Sequence, residues 1–174
     1  MRVAAIVLAA GEASRFGSPK QNLLLPRVLE RLGKTSVDEI VVVEGAHALE
    51  LPSDTVSQGV RVVPCGAWAA GPGASLRCAL ASLGDDVEPA VVVLADGPHL
   101  SPLSVERVLV EWRARGGVVA ASYKGGRGHP LVLGRADWQG IPDEGLRDRP
   151  VRLVPCDDLG APGDVDRPED LETV

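Results

Sequence analysis

The feature that most constrains this chain is the regular alternation of short β-branched apolar runs with helical segments. Val3–Leu8 is such a run, ending at the turn-forming Gly11. Glu39–Glu44 carries Ile40-Val41-Val42-Val43, and Val60–Val63 is a shorter run of the same kind. Ala90–Ala95 holds Val91-Val92-Val93-Leu94 without alternation, the mark of a strand covered on both faces. Val118–Ala121 and Val151–Val154 are further strand candidates. Between them, Arg27–Leu32 follows Pro26, and Ala74–Leu83 sets Leu76, Ala79, Leu80 and Leu83 on one helical face. Leu103–Arg115 follows an expected N-cap at Ser101 and Pro102 at the first helical position, and stops before Gly116-Gly117. A last short helix is expected from Pro168 to about Thr173. Strands alternating with helices predict one α/β domain of three layers, a mostly parallel sheet covered on both faces.

Length and charge narrow the chemistry. The 174 residues suffice for a single core and are too few for two ordinary domains. No apolar run reaches the roughly 18 residues that cross a bilayer, and the run at Val3 lacks a signal-peptide cleavage pattern, so neither a membrane nor export is expected. A formal net charge of −6 argues against nucleic acid, whose backbone wants a basic face. Cys65, Cys78 and Cys156 are scattered, with no C-x-x-C pair and no histidine at metal-ligand spacing. Neither a disulfide nor a zinc site is expected from them, and a reducing, cytoplasmic setting is.

In open α/β sheets, ligands bind at the carboxyl ends of the strands. The segment after the first strand reads Leu8-Ala9-Ala10-Gly11-Glu12-Ala13-Ser14-Arg15-Phe16-Gly17-Ser18-Pro19-Lys20-Gln21. Its glycine spacing fits neither the dinucleotide fingerprint nor a P-loop. What remains is small residues that let backbone amides approach a base or phosphate, followed by Arg15 and Lys20, whose charge suits a triphosphate. The same residues also suit an ordinary solvated surface loop. Asp96 follows the most buried strand in Leu94-Ala95-Asp96-Gly97-Pro98; it is either a turn former or an oxygen ligand for Mg²⁺. In Gly163-Asp164-Val165-Asp166-Arg167-Pro168-Glu169-Asp170-Leu171 the acids can simply complement a helix N-terminus.

The string Leu8-Ala9-Ala10-Gly11, Arg15, Gly17 and Lys20-Gln21 resembles the signature loop of the molybdenum cofactor nucleotidyltransferases. The resemblance continues at Asp96, at Gly71-Pro72-Gly73-Ala74-Ser75-Leu76-Arg77, at Gly128-His129-Pro130 and at the closing acidic segment, and so covers nearly the whole chain. It implies a Mg²⁺-dependent transfer of a nucleoside monophosphate from CTP or GTP to a phosphorylated small-molecule acceptor of molybdopterin type. It further implies Arg15 and Lys20 on the phosphates, Asp96 and Asp166 on the metal, with Asp164 the lesser choice, and His129 on the acceptor. Leu8, Ala9, Ala10, Gly11 and Ser75 would line the nucleotide, the last through helix N-terminal amides. Ala10, where the guanylyl branch has glycine, points to CTP. Two departures stand out: the Gly-Lys-Pro turn is missing between Gln21 and Val28, and Pro64-Cys65-Gly66 replaces an Asn-Pro. They leave open another phosphorylated acceptor, or a nucleotide-binding paralogue without turnover.

Overall fold

The structure, a computed structural model, describes residues 1–11, 20–51, 53–55 and 59–163, with only the backbone of residues 20–22. Seven described strands form one sheet: β1 (Arg2–Leu8), β2 (Glu39–Glu44), β3 (Val60–Pro64), β4 (Val87–Leu94), β5 (Val118–Tyr123), β6 (Gly126–Leu133) and β7 (Arg152–Pro155). Their order is β3-β2-β1-β4-β6-β5-β7, and only β6 runs against its neighbours. Register in the central pair aligns Ala4 with Ala90 and Leu8 with Leu94, so β1 and β4 end side by side.

Side chains of β1 alternate between two cores, as a pleated strand requires. Val3, Ala5 and Val7 face α1 (Lys20–Leu32) and α3 (Pro102–Arg115), while Ala4 and Ile6 face α2 (Pro72–Ala81) and the stretch around Trp138, Ile141 and Leu146. This is the expected three-layer α/β domain. Among the described residues, no helix is long and apolar enough to cross a membrane.

Four expectations need correction or fall outside view. Helix α1 begins at Lys20 rather than Arg27, with Pro26 inside it. An interior proline costs roughly 3 kcal/mol. Leu24, Leu25, Val28, Leu29 and Leu32 are all buried, and each contributes about 1.5–3 kcal/mol. Burial wins. Ser101 holds the N-cap position of α3 without a side-chain cap bond; instead the Ser104 hydroxyl donates to the Ser101 carbonyl at 2.7 Å. Cys65 and Cys78 are joined by a disulfide, against expectation. The chain reverses between them, from the end of β3 into α2, and their Cα atoms come within 5.9 Å. Linear spacing does not reveal that reversal, and the thiol-based argument for a reducing compartment loses its footing. The helix expected from Pro168 lies outside the described residues.

Candidate active site

The sheet's carboxyl edge brings several of the singled-out residues together. The Ala95 amide donates to the Leu8 carbonyl at 3.1 Å, which ties the exit of β4 to the exit of β1. Ala9 and Ala10 are buried there; the Ala9 amide donates to Val43 and the Ala10 carbonyl accepts from Ala46. The Ala9 N–H is thus committed to the end of β2. Gly11 is exposed, with open space where a side chain would stand. Gly45 must be glycine, because a Cβ there would lie 2.5 Å from Trp68 and 2.9 Å from the Ala10 carbonyl.

Asp96 follows β4 in a turn closed by the Gly97 amide on the Leu94 carbonyl, and is half-buried. The end of the described chain packs on this turn. The His99 amide donates to the Pro162 carbonyl at 2.9 Å, and a Cβ on Gly97 would touch Pro162 at 3.0 Å. Opposite stands His129, two residues into the inner half of β6 from Arg127. Burial holds its imidazole down to about 4, with the Arg127 charge adding to the effect and the Asp96 carboxylate opposing it. His129 is therefore neutral at pH 7. The Tyr123 hydroxyl donates to the His129 carbonyl at 2.9 Å, and the Tyr123 ring fills the space a side chain on Gly128 would need.

Arg127, Gly128 and His129 separate two clefts. One, about 560 Å³, lies on the α2 side, with Leu8, Pro72, Leu76, Leu94 and Leu131 as an aliphatic wall and Glu144 and Arg147 at its rim. The other, about 470 Å³, lies on the α3 side and is bounded by Gly97, Leu100, Tyr123 and Ala161–Gly163. Both reach Leu94, Arg127 and His129.

The structure thus brings Leu8, Ala9, Ala10, Gly11, Asp96 and His129 to one edge. Ser75 lies in α2, whose Pro72 and Leu76 line the α2-side cleft. Ser75 is buried, and its amide turns back to the Gly71 carbonyl, as does that of Ala74. Pro72 has no amide hydrogen, and the Gly73 amide donates to the Asp143 carbonyl at 2.8 Å. The amides expected to meet a phosphate are therefore spent on the chain itself, and Arg77 fastens the same helix to the Ile141 carbonyl and the Asp143 carboxylate. Arg15, Asp164, Asp166 and the Lys20 side chain lie outside the described residues. Arg127, Tyr123 and the Glu144–Arg147 rim escaped the sequence reading. Only Arg127 left a signal, a cation set between glycines beside His129.

Among the described residues, no group of three or more His, Cys, Asp or Glu side chains could hold a metal ion. Asp96 is nevertheless a hard oxygen donor of the kind Mg²⁺ or Mn²⁺ takes, placed at the carboxyl edge where a phosphate chain would supply the remaining oxygens.

Comparison with known proteins agrees with this fold. No curated protein matches the chain. Among solved structures, Rv0371c from Mycobacterium tuberculosis is 26% identical, with a TM-score of 0.78 over 99% of this chain and 96% of that one. The same protein in complex with manganese gives 24% identity and a TM-score of 0.71 over 99% and 96%. The 2-C-methyl-D-erythritol 4-phosphate cytidylyltransferase of Thermus thermophilus is 21% identical, with a TM-score of 0.69 over 99% and 97%, a likeness of fold. The profile of the MobA-like NTP transferase domain matches residues 5–154, which include every described strand except the first three residues of β1 and the last residue of β7. An α/β sheet with its small-residue loop, its aspartate and its histidine at one carboxyl edge, read together with that match, makes this chain a member of the MobA-like NTP transferase family.

Proposed function

We propose that the protein transfers a nucleoside monophosphate, CMP in preference to GMP, from its triphosphate to a phosphorylated acceptor of molybdopterin type, releasing pyrophosphate. The observation that carries the proposal is the meeting of Leu8–Gly11, Asp96 and His129 at one end of the sheet, beside two clefts. The cytidylyltransferase with the same fold and the manganese complex of Rv0371c support the choice of nucleotide and of a divalent cation.

An oxygen of the acceptor phosphate attacks the α-phosphorus; the bond from that phosphorus to the bridging oxygen of the β-phosphate breaks, and pyrophosphate leaves with the electron pair. The protein supplies no nucleophile. Positioning and charge neutralisation carry the rate. Asp96 would hold the divalent ion with Asp166, three residues beyond the Gly163 that packs on His99. When bound, that ion neutralises phosphate charge and polarises the phosphorus. Arg15 and Lys20 grip the β- and γ-phosphates and stabilise the leaving group. Neutral His129 offers the acceptor one ring donor and one acceptor rather than a charge. Leu8, Ala9, Ala10 and Gly11 shape the nucleotide's seat.

One observation favours a second reading, a different phosphorylated acceptor. The Pro64-Cys65-Gly66 segment, which stands where the resembling enzymes carry Asn-Pro, is bonded to α2 through Cys65. Thermal shifts with CTP, GTP, ATP and UTP, each with and without Mg²⁺, test the proposal. CTP with Mg²⁺ should give the largest shift; a larger shift with GTP overturns the base choice, and no shift with any triphosphate overturns the whole. Pyrophosphate release in the presence of molybdopterin then decides the acceptor.

A further inference from the structure

The Cys65–Cys78 disulfide joins two elements that are each held by other means. Strand β3 pairs with β2 from Val60 to Pro64, and beyond it the Cys65 amide donates to the Glu44 carbonyl at 2.8 Å. Helix α2 is fixed by Leu76, Ala79 and Leu80 in the core and by the Arg77 guanidinium on the Ile141 carbonyl. The segment between them is held more lightly. Gly66, Ala67, Ala69 and Ala70 are exposed, and the Trp68 and Ala70 amides bond to the Cys65 and Ala67 carbonyls, within the segment itself. Half-buried Trp68 is its anchor. A Cβ on Gly45 would meet Trp68 at 2.5 Å and the Ala10 carbonyl at 2.9 Å, so Trp68, Gly45 and Ala10 stand in one packed row. Whatever steadies this segment therefore steadies the end of the Leu8–Gly11 run.

The bridge is approachable from one side. Cys65 is 2% exposed, whereas Cys78 is half-buried, so the Cys78 sulfur is the one an incoming thiolate meets. The Ala74 carbonyl lies 3.7 Å from the Cys65 Sγ and gives a thiol formed there an acceptor in the core. The reduced state leaves that buried group with a partner.

We propose that Cys65 and Cys78 form a thiol–disulfide exchange site that sets how firmly the nucleotide seat is held. One thiolate of a dithiol reductant attacks the Cys78 Sγ; the new sulfur–sulfur bond forms as the Cys65–Cys78 bond breaks, and Cys65 leaves with the electron pair and takes up a proton. The reductant's second thiolate then displaces the Cys78 thiolate, which is protonated in turn, and the reductant ends as its own disulfide. Once opened, the bridge no longer ties the segment to α2, Trp68 loosens against Gly45, and the seat is less preorganised for nucleotide. The inference rests on reading Leu8–Gly11 as the nucleotide seat and adds a regulation to it.

The test compares the full-length ¹⁵N-labelled chain before and after dithiothreitol, which is removed anaerobically before measurement. Thiols are counted by mass after alkylation in denaturant, backbone order parameters are measured by NMR, and CTP with Mg²⁺ is titrated by calorimetry. Before treatment only Cys156 should be free, and treatment of the native chain should free Cys65 and Cys78 as well. Order parameters should fall over residues 66–70 and hold across β3 and α2. CTP affinity should drop about fivefold or more, the lower end of the coupling between linked sites. Cys78→Ser should behave as the reduced chain and ignore dithiothreitol, whereas Cys156→Ala should respond as the wild type does. Three free thiols before treatment overturn the proposal, as does a bridge that dithiothreitol fails to open in the native chain. Equal CTP affinity in the two states also overturns it, and so does loosening spread over β3 and α2, which would make the bridge a general staple of the fold. If order falls over 66–70 while no triphosphate binds in either state, the transfer reading fails and the exchange site survives it.

Discussion

The two ends of the sheet treat their charges differently. At the amino end, Glu39 lies 3.6 Å from Arg2 and 3.5 Å from Arg61, Arg2 also reaches Asp86 at 3.4 Å, and the Asp38 carboxylate accepts from the Val3 amide at 2.7 Å. Arg135 adds donors to the Val87 and Gly84 carbonyls on the same side. At the carboxyl end Arg107 and Asp158 also pair, at 2.7 Å, but beside the clefts Arg127 donates, among the described residues, to carbonyls alone, and His129 is kept uncharged between a cation and a carboxylate. One end closes its electrostatics internally and contributes to folding. At the other, among the described residues, Arg127 beside the clefts has no paired carboxylate.

Substitutions at the two ends should separate accordingly. The largest effect is expected for Asp96→Asn, which should cut metal-dependent pyrophosphate release by about 100-fold or more, the scale for losing a preorganised electrostatic group, while melting temperature barely moves. A fall in melting temperature with metal affinity intact would make Asp96 a turn former instead. Lys20→Ala comes next. It should weaken triphosphate binding by about 1.5–3 kcal/mol and leave nucleoside binding alone; calorimetry with CTP and cytidine compares the two, and an equal loss for both removes Lys20 from the phosphates.

The pH dependence of stability gives a smaller effect with a definite sign. His129 has a folded-state value of about 4, below the unfolded value near 6.5, so the unfolded chain binds more protons between those limits. Its contribution is fully present above about pH 7 and is lost as pH falls towards 4. Between pH 7 and 5.5 the loss is about 1 kcal/mol, read as the difference in urea midpoints of the wild type and His129→Gln at the two pH values. Parallel curves for the two proteins would mean that His129 titrates normally. The smallest effect belongs to the amino end. Glu39→Gln should cost about 0.5–1 kcal/mol of stability and leave turnover unchanged; any loss of turnover would break the division of labour between the ends.

The sequence showed the parallel part of the sheet well because both faces of those strands are buried, which leaves uninterrupted β-branched runs. The bounds of β2 were legible to the residue. Strand β6 was not among the strand candidates. Its first half, Gly126 to His129, has low strand propensity and pairs with β5 because a tight reversal places Lys124 and Gly125 at positive φ. Within the site, Leu8, Asp96 and His129 were legible because each sits at a strand end or in a distinctive short string. Arg127 was not singled out, since its bonds to the Arg147 and Arg149 carbonyls are a property of three-dimensional neighbours. The disulfide and the spent amides of α2 were illegible for the same reason. Both depend on what the chain lays across that helix.

Gly73 carries a consequence for how such loops are read across relatives. A Cβ at that position would stand 1.7 Å from the Pro142 carbonyl oxygen, and at Gly71 2.3 Å from that of Asp143. No side chain fits without moving the 142–145 backbone. In a saturation mutagenesis screen these glycines should score as intolerant as Asp96, yet the selection on them would come from backbone crowding. A glycine pair at a helix start, in this fold, records where two loops touch before it records where a phosphate sits.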